Sequence, residues 1–326
     1  VALWTLARTL SGRAVVHVLD GGMSSTERRR IERVAGRAGR VDLNWVDTST
    51  VQLAALPTVK HLGRATYLRL FLPDLIDVDR VIYLDADIQV RHDLGQLWAT
   101  DLVGRCAAAV QDPFYAFVSV RGALPTWAEL GLPARQPYFN AGVMVMDLLA
   151  WRDRDLSRQM VAYLDRHRDR LMFADQDAAN AVVGGDVALL DARWNAISHW
   201  FEYAQWPTSH CKTALGPARE RVVADPWVVH YAGVSKPWQV NCRHPLQGSW
   251  VRELLRCGWF DRGEALAWAT RWYGRQLQRQ WRLRWQGKGH LQRWPMQAGQ
   301  PGDGSPCFPD YAEAFREELT DSQNAL

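Results

Sequence analysis

The run Val81-Ile82-Tyr83-Leu84-Asp85-Ala86-Asp87 carries four apolar residues straight into two carboxylates. On an extended strand side chains alternate between faces, so positions 85 and 87 are expected to point the same way. Two carboxylates that close raise each other's pKa unless a cation lies between them. A hard divalent ion suits the pair, because Mn2+ and Mg2+ take oxygen ligands and share them with phosphates. The bare spacing is equally compatible with a solvated turn at a strand end. A second segment, VVHYAGVSKPW (228–238), supplies what an ion site would need besides. His230 ends an apolar run, and a neutral imidazole can complete a set of two carboxylates. Gly233 lets backbone approach a phosphate closely. Lys236 is one of only four lysines, with Lys60, Lys212 and Lys288, and puts a point charge in the same turn.

Two chemistries use an apolar strand ending in Asp-x-Asp. In phosphatases of the haloacid dehalogenase type one of the Asp residues is a nucleophile, and GGDVALLD (184–191) imitates their later acidic motif. That chemistry needs a lysine between the two motifs, and none stands between residues 60 and 212. In nucleotide-sugar transferases the pair holds a metal that bridges a diphosphate, and further metal ligands and phosphate donors are expected elsewhere. The 228–238 segment meets that expectation.

The elements that must position these residues follow from periodicity. Helices are expected over 2–10, from Ser24 or Ser25 through STERRRIERVAGRAG, over 66–75, over 151–171 and from Asp175 to about 185. Strands are expected over 14–22, 41–47, 81–90, 106–110, 138–148 and 226–233. The alternating order predicts an open α/β sheet, mostly parallel and flanked by helices. Ligands in such sheets bind beyond the carboxyl ends of the strands, where Asp85 and Asp87 sit.

The chain has 326 residues, 48% of them apolar, and a net charge of +4. Its five cysteines, Cys106, Cys211, Cys242, Cys257 and Cys307, are odd in number and lack CxxC spacing, which fits a reducing compartment. No apolar run approaches the ~18 residues of a membrane span, and no signal peptide is visible. A cytoplasmic protein is expected, soluble or peripheral at the inner face of the cytoplasmic membrane.

Taken in order, HVLDGGMS (17–24), ATYLRL (65–70), VIYLDADIQVRHDLGQLW (81–98), YFNAGVMVMDL (138–148), FADQDAAN (173–180) and HYAGVSKPW (230–238) resemble the retaining glycosyltransferases of family eight. The nearest likeness is to bacterial lipopolysaccharide galactosyltransferases. The resemblance implies a GT-A, Rossmann-like domain over 1–262, Mn2+ (or Mg2+) on Asp85, Asp87 and His230, and a diphosphate on Gly233 and Lys236. It implies donor contacts from Arg69, Ala86, Asn140, Ala141, Asp175 and Gln176, with Gln176 nearest the anomeric carbon. An amide is a poor nucleophile, so a same-face mechanism is expected, with Asp175 as nucleophile the alternative. Asp112 resembles an acceptor contact, and a turn Asp before Pro113 is the competing reading. The implied reaction moves a hexose, galactose before glucose, from a UDP-sugar to lipopolysaccharide or another envelope glycan. A catalytically inactive carbohydrate-binding relative is the non-enzyme alternative. Family members begin with a strand that is missing here, which reads as truncation or a misassigned start.

Residues 263–326 read as an extension, Trp/Arg-rich and then Gly/Pro-rich, with its end disordered. If 270–285 is helical, Arg271, Arg275, Arg279 and Arg282 share one face, opposite Tyr273, Leu277, Trp281 and Trp285. Over 268–294 such a pattern suits an anionic membrane surface and a lipid-linked acceptor. Docking of the apolar face on the domain is the alternative. No nucleic-acid module accompanies it.

Overall fold

The computed structural model describes residues 1–59, 62–202 and 209–285. The chain enters through helix α1 (Ala2–Thr9), strand β1 (Ala14–Asp20), helix α2 (Ser25–Ala38) and strand β2 (Val41–Asp47). α2 starts at a capping box between Ser24 and Glu27 and stops at Gly39, whose φ of 71° is left-handed. β1 and β2 pair in parallel across this crossover. The helix expected over 66–75 is instead a 3-10 helix, Arg64–Phe71, that passes into the short α3 (Leu72–Leu75). Pro73 in its first turn is compatible with that switch.

The expected strand 81–90 is two strands. β3 (Arg80–Leu84) and β4 (Ile88–Val90) belong to different sheets, and Asp85-Ala86-Asp87 is the turn between them. Helix α4 (Leu94–Trp98) then leads to β5 (Ala107–Gln111) and, after a long excursion, to β6 (Phe139–Asp147). The long amphipathic stretch that follows divides into α5 (Leu148–Asp153) and α6 (Leu156–Arg166), because Asp155 adopts a positive φ of 50° that ends one helix before the next begins. α7 (Asp175–Val182), β7 (Val187–Leu189), β8 (Ala196–Ile197), α8 (Ser209–Ala224), β9 (Val228–His230), α9 (Gln247–Arg256) and α10 (Arg262–Trp285) complete the described chain.

The α/β architecture is as expected, but the sheets are mixed. One sheet runs β3-β6-β5-β7, a second β4-β9-β8, and β1-β2 form a third. Of the six pairings, β3–β6, β5–β6 and β4–β9 are antiparallel. Residues 112–138 contain no crossover helix, so β6 returns against β5 rather than alongside it. Apolar residues of β5, β6, α5, α6 and α7 form one core, and α1, β4 and the other faces of β5 and β6 a second.

α10 packs on the domain through Trp272, which is buried, and Trp268, stacked on it at 5.9 Å. Arg30 pairs with Glu264 at 2.7 Å and Gln276 donates to the Val240 carbonyl at 2.8 Å. The Tyr273–Leu277–Trp281 face is not the docked one: these residues are 53%, 66% and 68% exposed. The expected membrane-facing stretch beyond 285, and the disordered end, lie outside the described residues.

Candidate active site

The break between β3 and β4 is what builds the site. The Asp85 N–H donates to the Gly142 carbonyl of β6 at 2.8 Å, and the Tyr231 N–H, just past β9, donates to the Asp87 carbonyl at 3.0 Å. Each aspartate is therefore pinned to a different sheet. Their convergence comes from this turn, not from strand alternation as expected. His230 pairs with Ile88 across β4–β9 and brings its ring to both carboxylates. Its Nε2 lies 3.6 Å from Asp85 Oδ2 and 3.3 Å from Asp87 Oδ1. Ligand atoms of the three residues all fall within 4.8 Å of one another, the one such group among the described residues.

Gly142 makes this approach possible. A Cβ there would lie 2.7 Å from His230 Nδ1 and 2.8 Å from Asp85 Oδ2, and closer still to His230 Cε1. The β5–β6 register jumps here, from Ala109–Met144 to Val110–Asn140, so Ala141–Val143 form a bulge beside the cluster.

Asp87 Oδ2 also accepts from Lys236 Nζ at 2.5 Å, and the same ammonium donates to the Tyr231 carbonyl at 3.0 Å. Burial works to raise the Asp87 pKa, but His230 and Lys236 outweigh it and hold the carboxyl below its ordinary range. Ala86 is exposed at the tip of the turn, and Gly233, at φ 93°, has open space around its α-carbon.

Arg69 is buried within the site wall. Its Nη2 meets Asp85 Oδ1 at 2.9 Å, its Nε meets Asp175 Oδ2 at 2.7 Å, and its Nη1 donates to the Ala141 carbonyl. Its guanidinium lies 4.5 Å from the Tyr83 ring centre, and Tyr83 donates its hydroxyl to Asp85 Oδ1 at 2.8 Å. Burial opposes the arginine's charge, but Asp175 and Asp85 more than compensate and raise its pKa. Asp175 is itself buried, pushed up by burial, and holds Thr66 Oγ1 at 2.6 Å. Arg69 thus ties the two aspartates together.

Gln176 is held by both ends of its amide. Its Oε1 accepts from the Ala141 N–H and from Asn140 Nδ2, each at 3.1 Å, and its Nε2 donates to the Tyr138 hydroxyl at 3.3 Å. Tyr138 in turn donates to Asp177 Oδ1 at 2.9 Å, while Asp177 Oδ2 accepts from the N–H groups of Met172 and Phe173. Burial pushes Asp177 up to about 7 although these donors pull the other way. The turn it clasps contains Ala174, a non-glycine residue at φ 53°, strain at the point that aims Asp175 and Gln176.

Arg69, Asp85, Asp87, Asn140, Ala141, Asp175, Gln176, His230 and Lys236 are thus joined by one set of contacts, and Asp112, expected as an acceptor contact or a turn residue, takes no part in them. That carboxylate is buried, and its Oδ1 accepts from the N–H groups of Phe114 at 2.8 Å and Tyr115 at 2.9 Å. It does what the turn reading required. Residues missed from sequence are Tyr83, Thr66, Tyr138, Asp177 and Asn195. The DxD-like spacing of Asp175 and Asp177 was a signal for the last carboxylate; nothing local marked Asn195.

The cluster fits a divalent cation by its donor chemistry: two carboxylate oxygens and an imidazole nitrogen converge, and the glycine beside them leaves room for nothing but that convergence.

Residues 6–242 match the model of the family described as "Glycosyl transferase family 8". General stress protein A of Bacillus subtilis (strain 168) is 28% identical over 250 residues, 75% of this chain and 83% of that protein. Lipopolysaccharide 1,2-glucosyltransferase of Escherichia coli (strain K12) is 30% identical over 208 residues, 63% of this chain and 58% of the relative. The crystal structure of galactosyltransferase LgtC in complex with donor and acceptor sugar analogs superposes with a TM-score of 0.64 at 28% identity, covering 77% of this chain and 90% of that one.

Proposed function

The chain belongs to glycosyl transferase family 8 and has the GT-A fold, and we propose on that premise that it moves a hexose from a UDP-sugar to lipopolysaccharide or another envelope glycan, metal-dependently and with retention. Galactose is favoured over glucose by resemblance. The observation that carries the reading is the convergence of Asp85, Asp87 and His230 beside Lys236, with Gln176 linked to the same surface through Asn140.

A divalent ion on Asp85, Asp87 and His230, Mn2+ or Mg2+, would offset the charge that develops on the departing diphosphate. The chain's own residues do the rest. Lys236, resting on Asp87, is the cation that would meet the diphosphate, and loss of one such contact typically costs ~10²–10³ in rate. Gly233 permits the close approach of the backbone there, and Ala86 leaves room beside the nucleotide. Gln176, clamped at both ends, lines the sugar side without acting as a nucleophile. Asp175 is engaged by Arg69 and Thr66, which disfavours it as the alternative nucleophile. In the same-face path the anomeric C–O bond to phosphate breaks, the acceptor oxygen bonds to that carbon, and the acceptor proton passes to the leaving phosphate oxygen.

Isothermal titration of UDP, with and without Mn2+, on the wild type and on Asp87→Ala tests this. Manganese-dependent binding lost in the variant supports the donor site; equal binding in both refutes it. Turnover of UDP-galactose against UDP-glucose, with the anomeric product read by NMR, then decides sugar and stereochemistry.

The same reading includes a lipid-linked acceptor and a peripheral position at the cytoplasmic membrane face. Support comes from α10, where Leu266, Tyr273, Leu277 and Trp281 lie exposed on one face. Arg271, Arg275 and Arg282 are exposed on another side of the same helix, and no Asp or Glu occurs between Glu264 and Asp303. That combination suits an anionic bilayer interface. Co-sedimentation with phosphatidylglycerol vesicles, weakened in Leu277→Glu and absent with phosphatidylcholine alone, is expected; equal sedimentation of the variant refutes it. No helix among the described residues is long and apolar enough to cross a membrane.

A further inference from the structure

Asn195 is fully buried at the end of a 3-10 turn, Ala192–Asn195, that leads directly into β8. It stands between the two halves of the site. Its Nδ2 lies 2.8 Å from Asn140 Oδ1, and its Oδ1 lies 2.9 Å from His230 Nδ1. The direction of every bond in this chain follows from one group that can only donate. The backbone N–H of Gly142 donates to Asn140 Oδ1 at 3.0 Å, so that atom is the carbonyl oxygen. The partner of the same oxygen on Asn195 must then be its NH2, which leaves the Asn195 oxygen facing the imidazole. An oxygen there can only accept, so His230 Nδ1 carries a proton, and in the neutral imidazole the Nε2 lone pair then faces Asp85 and Asp87. A second anchor agrees: the Ala141 N–H fixes Gln176 Oε1 as an acceptor, and Asn140 Nδ2 donates to it.

We propose that Asn195 is the positioning residue that fixes the tautomer of His230 and, through Asn140, sets the amide of Gln176, so that the ion side and the sugar side of the site are aligned by one buried side chain. The inference rests on the metal reading above for its consequence, and on hydrogen-bond geometry alone for its content. A ligating histidine needs its second nitrogen held, and losing that partner typically costs 10–100-fold in metal affinity.

Two variants separate the halves. Asn195→Asp keeps an oxygen for His230 Nδ1 and loses the donor to Asn140; Asn195→Ala loses both. Mn2+ affinity, measured by the paramagnetic resonance of free Mn2+, is expected to fall about 10–100-fold in Asn195→Ala and to stay within about threefold in Asn195→Asp. Turnover is expected to drop in both, in Asn195→Asp through kcat with KM for the UDP-sugar little changed, since a 1 Å misplacement can cost about 10²-fold. Long-range 1H–15N NMR of the metal-free full-length protein at pH 9, with His230 assigned by comparison with His230→Gln, reads the tautomer itself. A protonated Nδ1 and an unprotonated Nε2 in the wild type, lost in folded Asn195→Ala, is the expected result. Any other pattern in the wild type, or the same pattern in Asn195→Ala, overturns the proposal. A wild type that binds no Mn2+ while showing the expected tautomer refutes the transferase reading and leaves the role of Asn195 standing.

Discussion

Gly142→Ala puts the site to its sharpest steric test. Gly142 is not among the glycines at positive φ, so alanine fits the backbone and the whole effect must come from the added methyl. That methyl would sit 2.7 Å from His230 Nδ1 and 2.8 Å from Asp85 Oδ2, where ordinary contact begins at 3.4 Å. The His230 ring, which the methyl meets most closely at Cε1, must retreat by about 1 Å or more, several times the ~0.2 Å tolerance of a metal–ligand distance. Neither can yield easily: His230 is hydrogen-bonded to Asn195 and its strand is paired on both sides, and the Asp85 N–H is bonded to the carbonyl of Gly142 itself. Overpacking of this kind costs about 1–3 kcal/mol in stability, and misplacement of the ligands is expected to lower kcat/KM by about 10²-fold. The assay pairs thermal denaturation with Mn2+-dependent UDP titration and turnover. The same exchange at Gly36, exposed within α2 with nothing nearby, serves as the control and is expected to stabilise by about 0.5–1 kcal/mol. A folded Gly142→Ala protein with Mn2+ affinity and turnover within threefold of wild type would refute the argument.

Arg69→Met strands the Asp85 and Asp175 carboxylates, and breaking a buried pair in this way is expected to cost about 3–5 kcal/mol, read as a lowered denaturation midpoint. Lys236→Ala is expected to slow transfer by ~10²–10³ while Mn2+ affinity holds or tightens, because Asp87 Oδ2 loses its competing ammonium; parallel loss of metal binding would contradict the separate roles given to the two. Asp177, raised from 3.8 to about 7, keeps in the folded state a proton that the unfolded chain releases. Stability should therefore fall as pH climbs from about 4 to about 7, by about 1.4 kcal/mol per unit, and level off above. Asp177→Asn should flatten that slope in denaturant titrations across the range, and an unchanged slope would assign it to another group.

Much of this molecule could be read from local chemistry. The Ser24–Glu27 box and Gly39 mark both ends of α2 because caps satisfy backbone groups within one turn of chain. The apolar runs of β3, β5, β6 and β9, and the coincidence of Asp85, Asp87, His230, Gly233 and Lys236, were likewise visible in residue types and order. Other features were not. The break at Asp85–Asp87 looks like a continuing strand because Ile88 and Val90 resume an apolar pattern; only the competing pairings of β6 and β9 pull the two halves into different sheets. Arg69 is expected to contact the donor, and nothing local shows that two aspartates from distant segments close on it. Asp112 reads equally as an acceptor contact or a turn residue, and only the fold shows its Oδ1 bonded to the Phe114 and Tyr115 amides. The periodicity of α10 showed two faces, but which of them docks depended on Val240 and the aromatic cluster it meets.

By itself, then, the sequence determined the inventory: an α/β chain with two carboxylates at the end of an apolar run, and a His-Gly-Lys segment after a later one. Tertiary structure alone decided which of these groups are free to act and which are spent on one another. Hydrogen-bond direction is the physical reason. Asn195 has no meaning within its own turn; it acquires one only where Gly142, Asn140 and His230, from two other strands, leave its amide a single orientation.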